Sequence, residues 1–192
     1  MLLFWERGYE ATSVSDLTEA MGITPPSLYS AFGDKKRLFL EAVTHYQAGP
    51  GSFGREALQD EATAASAVRR LLLEAVAAMT QPSHPKGCMV TLSATNCAAG
   101  SDDVFKALSE QRKMAEHAIK GRIAAGAAAG ELAEGTDVDA LAGFVTALLN
   151  GLAIQARDGV SRSRLGKRVD QAMKMWPAAR TRKHRPRSTS RR

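Results

Sequence analysis

Two helix starts with one helix stop between them, all inside residues 13–25, restrict this chain more than any other feature. Ser13-Val14-Ser15-Asp16 has the spacing of a capping box: the serine hydroxyl accepts from the Asp16 amide, and the Asp16 carboxylate reaches back to the serine N–H. A helix is therefore expected from Val14, with Leu17, Ala20 and Met21 on its inner face. Gly22 follows, where a left-handed residue can stop the helix and turn the chain, and Ile23 is expected to enter the core at the corner. Thr24 then stands as an N-cap and Pro25 at the first helical position, where its missing N–H costs nothing and its φ is already helical. Leu28, Ala31 and Phe32 recur at the spacing of an inward face. Two capped helices of about two turns joined by a glycine corner make a helix-turn-helix.

In such a unit the second helix enters the DNA major groove. Its first turn exposes Thr24, Pro25, Pro26 and Ser27, small side chains that let the backbone approach base edges, while the helix N-terminus attracts phosphate. Tyr29 and Ser30 add hydroxyls. The blander alternative is that Tyr29 and Phe32 only pack a small three-helix domain.

The rest of the chain reads as helix too. β-branched residues are scattered, aromatics are 6%, and no run alternates apolar with polar long enough for a sheet. Helices are expected up to Gly8, over Val14–Met21 and Pro25–Phe32, and from Lys35 to about Tyr46. The breaker cluster Gly49-Pro50-Gly51-Ser52 marks a domain boundary. Beyond it, helices are expected over Ala64–Met79, weakly around Met89–Ala98, and from a Ser101 cap to about Ala129. Thr136 and Asp139 have capping-box spacing for a further helix to Arg157, and Ser161 caps a last one to about Met175. The expected fold is all-α: an N-terminal three-helix helix-turn-helix domain (residues 1–46, first helix truncated) and a C-terminal helical effector and dimerisation domain (47–177). A basic disordered tail (178–192) would follow.

A net charge of +6 in 192 residues suggests a nucleic-acid partner, but its location weakens that inference. Seven bases and no acid lie from residue 178 onward, and residues 1–47 hold four bases against six acids. DNA binding by the head must therefore rest on geometry. The tail could add non-specific phosphate attraction or simply solubilise the end. No run approaches the ~18 consecutive apolar residues of a membrane span, and two cysteines are too few for a secreted disulfide framework, so a cytoplasmic protein away from membranes is expected.

Gly8-Tyr9-Glu10-Ala11-Thr12-Ser13-Val14, Leu17, Met21-Gly22-Ile23-Thr24, Ser27-Leu28-Tyr29, Phe32, Asp34-Lys35 and Leu38 together resemble the DNA-binding signature of the TetR/AcrR family of transcriptional regulators. The resemblance implies that Tyr29 and Lys35 bind phosphate, that Ser13 and Thr24 touch the DNA backbone, and that Pro25, Pro26, Ser27 and Ser30 fall where bases are read. Hydroxyls, helix ends and one lysine per half-site would then answer the missing positive charge, since two subunits bind together. The family's first helix is longer than the stretch ahead of Gly8, so either the start lies upstream of Met1 or the head is weakened. Gly151 to Gly159 with Ser161 resembles the junction of the last two helices in one subgroup, where those helices form a four-helix bundle between two copies. The helix from Asp137 is apolar over more than one face, as such a homodimer seam requires, although an internal core helix would look alike.

The resemblance implies a repressor released from an inverted-repeat operator by a small apolar or amphipathic effector. Met79, Phe105, Met114, His117 and Phe144 are the candidate pocket residues, with His117 either a polar handle for the effector or a buried, satisfied histidine. Cys88, near a helix start, is a candidate thiol sensor of oxidants or electrophiles, set against an inert packed cysteine. His84, Cys88 and Cys97 lack zinc spacing, so no metal or other cofactor is expected. No Ser/His/Asp order, carboxylate pair or phosphate loop suggests an enzyme. A helical interaction protein without specific DNA binding is the remaining alternative.

Overall fold

The computed structural model describes residues 1–95, 98 and 100–179. These form ten helices: α1 (Leu2–Arg7), α2 (Val14–Met21), α3 (Pro25–Phe32), α4 (Lys35–Ala48), α5 (Arg55–Asp60), α6 (Ala64–Met79), α7 (Met89–Leu92), α8 (Asp102–Ala128), α9 (Val138–Arg157) and α10 (Arg162–Met173). Helices α1–α4 make a head whose centre is Phe4, Leu17, Leu28, Leu38 and Phe39. In the body, α6 runs centrally with α5, α8, α9 and α10 packed on it, and it buries Val68, Leu71, Leu72, Ala75, Val76 and Met79 on one side. Head and body share one apolar core.

Several elements differ from their sequence reading, each for a local reason. Ile23 is 36% and Met21 40% exposed, not core residues, because the last turn of α2 extends past the small head and only Leu17 and Thr18 of that helix are buried. Helix α5 carries no cap and only Ala57 buried, too little for a sequence signal. The segment after Cys88 is helical only over Met89–Leu92; Ser93, next in line, donates its hydroxyl to the Phe4 carbonyl instead of continuing a turn. The cap of α9 is Asp137, accepting from Ala140 N–H at 2.9 Å, whereas the Thr136 hydroxyl donates to the Ala133 carbonyl. The chain also stays ordered past Pro177: Ala133 N–H donates to the Pro177 carbonyl at 2.8 Å, and Ala179 N–H to the Glu131 carbonyl at 2.9 Å. The basic stretch from Arg180 and the second cysteine, Cys97, lie outside the described residues.

Head and body are joined chiefly through α1. Trp5 is 1% exposed; its indole N–H donates to the Gly87 carbonyl at 3.2 Å, and its ring meets Tyr46 edge-on and stacks on His84. Gly87 has no room for a side chain, because a Cβ there would lie 2.9 Å from the Ala153 carbonyl oxygen of α9. From the end of α9, the Arg157 guanidinium donates to the carbonyls of Lys86, Glu6 and Trp5, which closes the C-terminal end of α1. Tyr9 N–H donates to the Ser93 carbonyl at 2.8 Å, and Lys36 pairs with Asp103.

Candidate nucleic-acid interface and effector cavity

The corner between α2 and α3 is built as its residue types dictate. Ser13 Oγ accepts from Asp16 N–H at 3.0 Å while Ser13 N–H donates to Asp16 Oδ2 at 2.8 Å, and Arg7 approaches the same carboxylate at 3.2 Å. The Ser13 hydroxyl, which also donates to Asp16 Oδ2, then the Ser13 N–H and Arg7, hold the Asp16 carboxyl below the ordinary carboxylate range. Gly22 takes φ 64°, ψ 32°, the left-handed conformation that lets Ile23 N–H reach back to the Thr18 carbonyl. Thr24 is extended, and α3 begins at once with Pro25. The Thr24 hydroxyl is 3.0 Å from that of Ser27 and makes no side-chain cap, so both oxygens stay at the surface.

Helix α3 is anchored by Leu28, with Phe32 partly buried against the core at its end, while Ala31, expected on the inner face, is exposed. Leu28 is fully buried, whereas Thr24, Pro25, Pro26, Ser27, Tyr29 and Ser30 are all exposed, Tyr29 by 49%. Ser13 is exposed beside them in chain order, at the start of α2. Lys35 differs: it is half-buried, donates to the carbonyls of Tyr9 and Thr12 at 3.1 Å each, and lies 4.2 Å from the centre of the Tyr9 ring. Two of its three N–H groups therefore hold the loop that sets the start of α2. The sequence reading missed Arg37, an exposed cation two residues on that makes no ion pair among the described residues. Its signal was only a base in the first turn of a helix.

In the body, a cavity of about 820 Å³ opens between α4, the 51–55 loop and α5 to α9, large enough for a drug-sized molecule. Met79 and Met114 line it, as does Cys88. Phe105, His117 and Phe144 do not: they are exposed on the outer sides of α8 and α9, and His117 is thus neither a buried histidine nor a wall residue. The polar wall residues Gln47, Gln111, Arg112 and Asn150 were not recognised, because three helices distant in sequence, α4, α8 and α9, must assemble before they share a wall. Cys88 is 7% exposed and lies beside Tyr46 in the cavity wall; burial first, and then the neighbouring thiol, push the Tyr46 phenol far above its ordinary pKa. The described residues contain no His/Cys/Asp/Glu group that could hold a metal ion.

Residues 1–42 match the model of the bacterial regulatory proteins of the tetR family, and residues 64–164 match a Tetracyclin repressor-like C-terminal domain. The chain belongs to the TetR family of DNA-binding transcriptional regulators. It is 30% identical over 178 residues to the HTH-type transcriptional repressor ComR of Escherichia coli K12, covering 92% of this chain and 85% of ComR. The uncharacterized HTH-type transcriptional regulator YezE of Bacillus subtilis 168 is 31% identical over 89% of each chain. Among solved structures, a cysteine mutant of the TetR family regulator CifR complexed with 26-base-pair operator DNA superposes with a TM-score of 0.87, at 43% identity and 92% coverage of both chains.

Proposed function

We propose that this TetR-family protein is a cytoplasmic homodimeric repressor that binds an inverted-repeat operator through α3 and leaves it when a small amphipathic molecule occupies the body cavity. The observation that carries the reading is the division of α3: Leu28 ties it to the head while its entire first turn, with Tyr29 and Ser30, faces outward. CifR, the relative at 43% identity, is complexed with operator DNA, and ComR is named a repressor. Ser13, Thr24 and Tyr29 are assigned to phosphate, and Pro25, Pro26, Ser27 and Ser30 to base edges. Lys35 keeps one N–H for phosphate but acts mainly by positioning the Tyr9–Thr12 loop, and Arg37 joins the phosphate contacts.

Residues 1–46 act as the reading head and 47–177 as the effector and dimerisation body. Helix α9 supports the dimer: an 18-residue stretch of it has a mean hydropathy of 1.5, enough by length and composition for a membrane span, yet only 22% of that stretch is buried within one copy. Phe144 and Ile154 are 46% and 50% exposed on it. A second copy covers that face in this reading. An effector shifts the population toward a head spacing that misses successive major grooves, about 34 Å apart, and it does so only through its different affinity for the two states. Regulation, not catalysis, is the activity.

Footprinting on flanking genomic DNA with the full chain and with a chain ending at Ala179 tests this. Protection of one inverted repeat by both proteins is expected; loss of all protection without the tail would overturn the head-based reading. The place of Cys88 in the cavity wall favours a second reading, in which an electrophile bonds to its sulfur. Cys88→Ser separates the two: a reversible effector still releases the operator from the variant, whereas a thiol-directed one does not.

A further inference from the structure

The polar groups of the cavity wall are unequal in kind, and their surplus is of one sign. Three guanidinium groups, Arg55, Arg112 and Arg122, line it, no aspartate or glutamate does, and none of the three makes an ion pair among the described residues. Arg112 is half-buried, donates one N–H to the Val90 carbonyl at 2.9 Å and has four N–H groups left. Arg122, also half-buried, donates to the Glu61 carbonyl at 3.0 Å. A partly buried guanidinium whose partners among the described residues are a backbone carbonyl and, for Arg112, the face of the Phe105 ring 5.9 Å away has no anion beside it; a carboxylate completes such a site, and the fork geometry of arginine suits its two oxygens.

The surroundings of Arg112 add further donors. The Thr91 hydroxyl donates to Asn150 Oδ1 at 3.1 Å, and Gln47 donates to Gln111 Oε1 at 2.7 Å, so Asn150 and Gln111 keep their amide N–H groups. Arg112 and Asn150 reach consecutive residues of α7, Val90 and Thr91, which brings them to the same end of the cavity. Leu58, Leu71, Met79, Ile119 and Leu149 give the cavity its apolar wall, beside the polar Arg55, Gln59 and Arg122.

We infer that the effector is an amphipathic monocarboxylate, a fatty or aryl-alkanoic acid, whose head group is bound by Arg112 with Asn150 and Gln111 and whose apolar part fills the rest of the cavity. This rests on the reading of the cavity as the effector site. It also specifies the regulation. A carboxylate that recruits Arg112 competes with the Val90 carbonyl for it, and Val90 lies three residues before Ser93, whose carbonyl and hydroxyl hold Tyr9 and Phe4 of the head.

Three probes with one tail test it by calorimetric titration of the full chain below their micellar concentrations: decanoate, 1-decanol and decyltrimethylammonium. Decanoate is expected to bind at least about tenfold more tightly than the alcohol, with no binding of the cation. Arg112→Gln is expected to bring decanoate to within about threefold of decanol. Asn150→Ala, a smaller change, should weaken decanoate alone, which keeps the test open if the arginine variant fails to fold. Decanol or the cation binding as well as decanoate overturns the charge assignment and leaves the cavity reading intact. Ala118→Trp, which fills the cavity from α8, separates the two failures: decanoate binding that survives it unchanged overturns the cavity reading, and with it this inference.

Discussion

The head and the body are both helical, but they store their information at different ranges. In the head, the elements that matter are specified by residues two or three positions apart: Ser13 with Asp16, and Gly22 with Thr24 and Pro25. In the body, the cavity wall depends on pairs separated by tens of residues, Gln47 with Gln111 and Thr91 with Asn150. A surface that reads a fixed duplex can be encoded locally, because capping and turn chemistry alone set its shape. A pocket can be altered one wall at a time without touching those signals. The boundary between the two regions is not a loose joint, however, since Trp5, Arg157 and Gly87 lock them together.

The sharpest way to break this division is Trp5→Ala. If head and body were independent, only the head would suffer; with Trp5 buried between them, the whole chain is expected to lose about 3–5 kcal/mol in a single urea transition. Two separated transitions would contradict the shared core. Arg157→Gln removes the charged donors to the Trp5, Glu6 and Lys86 carbonyls and is expected to cost about 2 kcal/mol. Its operator affinity should fall as well, although Arg157 lies far along the chain from α3; anisotropy on labelled operator measures this.

Tyr29→Phe inverts that pattern. Stability should stay within ~0.5 kcal/mol, as for an exposed residue, while operator affinity drops on the order of tenfold through one lost phosphate bond per half-site. Unchanged affinity would remove Tyr29 from the contact set. The smallest effect is expected from acid. Glu10 is held below the ordinary carboxylate range by the Ser101 hydroxyl and the Ala98 N–H, and Asp103 by Lys36. A carboxyl with a depressed folded pKa stabilises above its unfolded value of about 4, and that contribution is lost as pH falls through the folded value. Loosening of the head–body contacts is therefore expected below about pH 4, seen as faster amide exchange around Ser93; a junction equally protected at pH 3 and pH 6 would contradict it.

The same contrast explains what could be read in advance. The helix-turn-helix, most helix limits and the exposed residues of α3 were legible because each follows from a cap, a breaker or a short spacing. Ile23 was misplaced because periodicity says which residues are apolar, not whether a small head has enough surface to cover them all. Lys35 was legible as a cation but not as a brace, since its partners Tyr9 and Thr12 come from an earlier loop. In the body, Met79 followed from the buried stripe of α6, whereas Phe105 and Phe144 were drawn inward by their hydrophobicity although they lie on outer faces. No local rule assigns a side to a helix that has apolar residues all round.

The hold of Arg157 on the end of α1 bears on how such proteins can be recombined. A graft that exchanges reading heads between relatives at the Gly49–Ser52 breaker would separate Trp5 and Glu6 from the arginine and the Lys86–Gly87 turn that receive them. Chimeras that carry those positions across as one set should keep their half-site spacing. Those cut only at the visible hinge should inherit sequence preference but lose its register.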